Sequence, residues 1–287
     1  MNFVTGEKLQ ETAEITIALN TENNFNSDLV KTQIKNTKTK CYIFCPTKTD
    51  TKLPEELISA KTIFVYTHIL DYFFNYIFPH IREPITLITH NSDHGVDEKY
   101  LQYLNSNKIK KWFCQNKYTT HPKLFSLPIG IANSQWPHGN VQILENIIKS
   151  DLSKNNLALK AFDISTNTGH RQQINLITEQ NGFTMSPPLA YTDYLKQLKQ
   201  SYFCFAPHGN GADCHRIWEC LYLNCVPIVP ERHPSFEEFK HLPILFVDSY
   251  ENITKTFLEQ QIEKFFPFSK YNLEMLNINY WKNLINN

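Results

Sequence analysis

The sequence predicts an α/β protein made of two Rossmann-like halves, each built on a parallel sheet. From residue 41 onward, short apolar runs of strand length alternate with longer stretches of helical period. Polar turns such as Asn91-Ser92-Asp93-His94-Gly95 and His208-Gly209-Asn210-Gly211 close the apolar runs before them. The charged stretch KSDLSKNN (149–156) separates two apolar patterns of the same style. A ligand is expected in a cleft between the halves, at the carboxyl ends of the strands.

In the first half, strands are expected at CYIFCP (41–46), TIFVYTH (62–68), ITLITH (85–90), IKKWFCQN (109–116) and KLFSLPIGI (123–131). An aromatic helix follows the second strand to Pro79, and its run Tyr72–Phe78 is expected to fill the core. A further helix spans 97–105, with Asp97 as its cap. The second half reads as strands at 157–165, 202–207, 226–230 and 244–248, with helices at 171–180, 190–199, up to 223, and 251–264. The closing segment 273–286 is amphipathic and helical. These elements give an N-terminal domain over 1–150, a C-terminal domain over 151–270, and a last helix within 271–287 that packs back on the first domain.

The chain has 287 residues, 41% of them hydrophobic, which supports a sizeable core. Lysine plus arginine number 28, as do aspartate plus glutamate, so a dedicated nucleic-acid binder is not expected. No apolar run is long enough for a membrane span, and the amino end does not read as a signal peptide. A cytoplasmic protein is expected. The seven cysteines show no framework spacing and read as buried thiols.

The most informative stretch is YFCFAPHGNGADCHRIWECLYLNCVPIVP (202–230), whose logic is strand, small-residue turn, helix, strand. Gly209 and Gly211 are expected to adopt positive φ and let backbone approach a ligand closely. Asp213 or Asn210 is expected to cap the helix. The amino end of that helix would seat a phosphate, with Arg216 adding a two-pronged contact. His215, Arg216 and Glu219 share one helical face, and Glu219 sits one turn deeper, where it can accept the hydroxyls of a ribose. Pro207 and His208 belong to the same turn. The loop STNTGH (165–170) faces the same site and contributes Ser165 and Asn167, and Arg171 follows it. The dinucleotide fingerprint is missing its third glycine, so a dehydrogenase is not expected.

These residues carry a resemblance. Phe203–Pro207, Gly209, Arg216, Glu219 and Val226–Val229 together resemble the donor-binding region of exostosin-type glycosyltransferases, glycosyltransferase family 47. THNSD (89–93), KKWFCQN (110–116) and LPIGIANSQWPHGN (127–140) are similar to short cytosolic members found in large viruses and bacteria. The resemblance covers residues 60–250 and is most specific in its last part. It implies a GT-B fold, with the donor nucleotide on the C-terminal domain, the acceptor on the N-terminal one, and inversion at the anomeric carbon. It also favours a UDP-sugar, such as UDP-xylose or a UDP-hexose, and a glycan or glycoconjugate acceptor. The chain is much shorter than the animal enzymes and lacks their anchor, which leaves the sugar and acceptor open.

Sugar transfer needs charge neutralised on the leaving diphosphate and a base for the acceptor hydroxyl. No Asp-x-Asp is present to hold a metal. Cations and a helix amino end can replace it, so a metal-independent enzyme with no cofactor is expected. Asp93, after an apolar strand, is the expected general base, flanked by His90 and His94. Asn133, Trp136 and His138 suit stacking on an acceptor sugar. His121, His233 and His241 are assigned no role. Two other readings compete: a metal-dependent hydrolase using His90, Asp93 and His94, and a non-catalytic nucleotide-sugar-binding module.

Overall fold

The computed structural model describes residues 2–20, 32, 34–45, 52–230 and 233–287. It is a mixed α/β structure with two parallel sheets, and the chain divides into two compact units.

The first unit comprises Asn2–Ile129 and Ile278–Asn287. Its strands are β1 (Ile15–Leu19), β2 (Lys40–Phe44), β3 (Thr62–Tyr66), β4 (Ile85–His90), β5 (Ile109–Cys114) and β6 (Leu124–Ser126), in the order β2-β1-β3-β4-β5-β6. All neighbours are parallel. Every residue of β3 and β4 is buried, as expected of a parallel sheet covered on both faces. The order reverses beside β1, which makes a topological switch point there. Register pairs Tyr66 with His90, so both stand at the carboxyl edge.

β1 is a strand where the sequence suggested no element, and helix α1 (Gly6–Gln10) precedes it. The expected strand 41–46 is β2; its last residue, Pro46, lies outside the described residues. The strand expected over 123–131 shortens to β6, because Pro128 cannot donate a ladder bond and Gly130 turns the chain at φ +67°. Asp97 caps the helical turn Glu98–Tyr100 by accepting the Lys99 N–H. Phe73, Phe74, Ile77 and Phe78 are buried, and Phe74 stacks on Tyr103 at 3.8 Å, while Tyr76 points outward.

The second unit is Gly130–Asn277. Strands β7 (Asn156–Leu159), β8 (Ser201–Phe205), β9 (Val226–Pro230) and β10 (Leu245–Val247) form a parallel sheet in the order β10-β9-β8-β7. Its helices are α2 (Val141–Lys149), α3 (Thr168–Gln180), α4 (Tyr191–Gln200), α5 (His215–Tyr222) and α6 (Lys255–Phe265). The division falls at Ile129/Gly130, ahead of the polar stretch 149–156, because α2 packs on α4. Lys199 of α4 donates to the carbonyls of Ile147 and Ile148, each at 2.8 Å, and so fastens the last turn of α2. The strand expected over 157–165 ends at Leu159. There Asp163 accepts the Ser165 N–H and folds Ile164–Asn167 into a 3₁₀ turn.

Helix α7 (Ile278–Asn286) belongs to the first unit, where it packs against α1 and its Ile278 N–H bonds Asn2 O. Among the described residues, no helix is long and apolar enough to cross a membrane.

Candidate functional site

In the second unit, the loops that follow β7 and β8 are joined by one side chain. Arg171 is 4% exposed. Its Nε donates to His208 O (2.8 Å), Nη2 to Pro207 O (3.1 Å), and Nη1 to Asp163 O (2.6 Å) and Thr166 Oγ1 (2.5 Å). Asn167 adds a bond from Nδ2 to Gly209 O at 3.0 Å. Arg171, read from sequence as a phosphate cation, is thus a clamp on the loop backbone. Ser165 turns back onto Asp163 through both its N–H and its hydroxyl.

The turn Pro207–Cys214 differs from expectation in two ways. Positive φ among the described glycines falls at Gly130 and Gly182, not at Gly209 or Gly211. Gly209 instead provides room: a Cβ there would lie 3.1 Å from Arg171 Nη2. Its N–H bonds Gly211 O, and the exposed Asn210 forms the tip between them. The second correction concerns the cap. Cys214 is the N-cap of α5, without a side-chain bond to the helix. Asp213 is buried and accepts the Trp218 indole N–H on both oxygens at 2.9 Å, because a buried indole N–H needs a partner. The first turn of α5 therefore takes no side-chain bond from its own N-cap residue.

His215, Arg216 and Glu219 share one face of α5. His215 Nδ1 meets Gly130 O at 2.7 Å. Arg216 Nη2 donates to Ala161 O at 2.7 Å, while its Nε is buried with no hydrogen-bond partner. Glu219 is 4% exposed, and each oxygen accepts a phenol: Oε1 from Tyr191 at 3.1 Å and Oε2 from Tyr194 at 3.0 Å. The oxygens expected to take a ribose therefore already receive tyrosine hydroxyls. Burial raises the Glu219 pKa above the usual carboxylate range, against the pull of Arg216 and both phenols.

Trp136, His138 and Asn133 lie in this same second unit. Trp136 is 38% exposed and stacks on His138, centroids 6.1 Å apart. His138 in turn approaches Tyr191 (6.4 Å) and His215 (6.0 Å), and burial lowers its pKa. Asn133 is buried; its carbonyl lies where a Cβ on Gly139 would fall, 2.0 Å away, so only glycine fits there. On the other side of the turn, His208 lies between His170 (5.8 Å) and Phe236 (6.1 Å), with His233 5.3 Å away. Burial lowers all three imidazoles, His233 to about 4.

In the first unit, His90 is 1% exposed and both ring nitrogens are engaged: Nε2 with Pro128 O at 3.0 Å, Nδ1 with Asn91 Oδ1 at 3.1 Å. It is an internal strut, not a presented group. Asp93 and His94 are exposed in the loop after β4, where Asn116 Nδ2 holds Asp93 O and Ser92 Oγ accepts the His94 N–H. Among the described residues, no group of three His, Cys, Asp or Glu side chains has metal-holding geometry.

The sequence reading did not single out Tyr191, Tyr194 or His170, and it assigned His233 no role. Tyr191 and Tyr194 stand three apart at the start of α4, a spacing that also suits an ordinary amphipathic helix. No protein-family model matches the chain, and no curated protein matches it significantly.

Proposed function

We propose that this chain is a glycosyltransferase. Its second unit holds a nucleoside-diphosphate sugar at the amino end of α5 and passes the sugar to a glycan or glycoconjugate acceptor. The observation that carries this reading is Arg216. A guanidinium with a buried, unpartnered Nε beside a helix start lacking a side-chain cap is a ready seat for a diphosphate. Neutralising that leaving group is the main electrostatic task of sugar transfer. His215 adds a second group on the same face. Trp136 and His138, in the same unit as Arg216, offer a stacking surface for a sugar ring.

The finer features belong to the same proposal. The two parallel-sheet units are the parts from which a GT-B enzyme is built. Asp93, exposed on the loop after β4, is the proposed base, and inversion follows from direct attack. A UDP-sugar donor, a metal-free mechanism and a cytoplasmic setting complete the reading. The hydrolase alternative finds no support in His90, whose ring nitrogens are both engaged.

The test is a thermal-shift and calorimetric titration with UDP, UDP-xylose and UDP-hexoses. A ligand at 100 times its Kd stabilises by about 2.7 kcal/mol. Arg216→Ala should weaken binding by about 1.5–3 kcal/mol, the range for a hydrogen bond to a charged group. A melt unmoved by every nucleotide and nucleotide-sugar refutes the proposal. Binding without UDP release in the presence of any glycan would instead favour a non-catalytic module.

A further inference from the structure

We infer that Tyr191 and Tyr194 are positioning residues, whose hydroxyls fix the Glu219 carboxylate and, with it, the Arg216 guanidinium. The inference rests on the donor reading above only for its effect on ligand binding. Its basis is geometry. The two phenols stand at the start of α4 and reach a different helix, one to each oxygen of a carboxylate that water scarcely touches. Tyr194 also contacts Arg216 directly, its ring centroid 6.0 Å from the guanidinium carbon. One residue thereby touches both members of the Glu219–Arg216 set, while Tyr191 fixes the remaining oxygen and lies against His138.

Arg216 needs such support. Among the described residues its one hydrogen-bond partner is Ala161 O, and a long side chain held at one point retains much rotamer freedom. The Glu219 carboxyl group one turn along the same helix face, held by two donors, attracts the guanidinium electrostatically and narrows the orientations it favours. The other titratable groups facing the set are Cys204 on β8, Cys214 and Cys220 on the α5 segment, Asp163 and Arg171 beside Arg216, and His138 against Tyr191.

The roles of the phenols as donors and as packing groups separate in Tyr→Phe variants, which keep the ring and remove the hydroxyl. Without its two donors, buried Glu219 holds a proton to higher pH. Ionising it then costs stability as pH rises, so the extra destabilisation appears on the alkaline side. In melts from pH 5.5 to 8.5, the double variant Tyr191→Phe/Tyr194→Phe should lose Tm more steeply with rising pH than the wild type. Adding Glu219→Gln should remove that extra slope. Each single variant should show part of it, which keeps the test open if the double variant folds poorly. Equal slopes in wild type and variants overturn the inference, whether or not any nucleotide binds.

The second arm uses UDP as probe. Looser holding of Arg216 should weaken UDP binding by about tenfold in the double variant, about the cost of one immobilised side chain. Unchanged or tighter binding overturns the positioning role, since loss of a nearby negative charge alone would favour an anion. Wild-type protein that binds no UDP refutes the donor reading, while the melts still decide the role of the phenols.

Discussion

Replacing Arg171 with alanine tests the account of the loop clamp. The side chain makes four hydrogen bonds, three to backbone carbonyls and one to the Thr166 hydroxyl, from a nearly buried position. Hydrogen bonds from a charged group contribute about 1.5–3 kcal/mol each, but bonds sharing one guanidinium do not add. Breaking a buried charged network by removing one partner costs about 3–5 kcal/mol. For a unit of this size, 1 kcal/mol shifts Tm by about 2–4 °C. Arg171→Ala should therefore lower Tm by about 6–20 °C in calorimetry or circular dichroism. Limited proteolysis should then cut first between Pro207 and Cys214. Arg171→Lys should recover little, because a single ammonium cannot reach carbonyls on two loops with the fork geometry. A Tm drop below about 2 °C would show that water replaces the clamp, and would refute the claim that Arg171 joins the two strand-end loops.

Three further outcomes are expected. Asp93→Asn should leave UDP affinity unchanged and lower transfer at least about 100-fold, the scale of general-base catalysis; intact turnover would assign the base elsewhere. Trp218→Phe should destabilise by about 1–3 kcal/mol, measured by denaturant unfolding, because buried Asp213 loses its indole donor; an unchanged midpoint would contradict this. Acid should also destabilise the protein through His233. Its folded pKa is depressed to about 4, and Ser235 N–H donates to its Nδ1, so the fold favours the neutral ring. The unfolded chain takes up the proton first, so stability is lost as pH falls from about 6.5 toward 4. Melts of wild type and His233→Gln over that window check this, and the variant should show a shallower slope.

The parts of the fold that read clearly in sequence are those whose local pattern coincides with their burial. β4, rich in β-branched residues, is fully buried and β9, apolar throughout, is nearly so, and their expected limits match. β1, five residues with Thr16 buried among them, escaped notice. The lengths of β6 and β7 were overestimated because apolar residues continue past the last ladder bond, where Pro128 and Asp163 redirect the chain.

The site divides the same way. Spacing along one helix placed His215, Arg216 and Glu219 together, because three and four residues make a helical turn. The partners of Glu219 are 25 and 28 residues upstream on another helix, and no local period announces them. Asp213 shows how tertiary demand outweighs local preference. It has the right chemistry to cap α5, but a buried indole five residues on claims both its oxygens.

The chain leaves the first unit at Ile129 and returns to it at Ile278, so the second unit is an insertion within the first. A ribosome making this protein therefore completes the inner unit before it delivers the last helix of the outer one. Until then the pocket for Trp281 and Ile285, both nearly inaccessible in the finished fold, stays open. The outer sheet is thus assembled early in sequence but sealed late in time, by the contact of residue 278 with residue 2. Cutting the gene after codon 277 would spare the nucleotide-binding candidate and cripple the half of the molecule that was translated first.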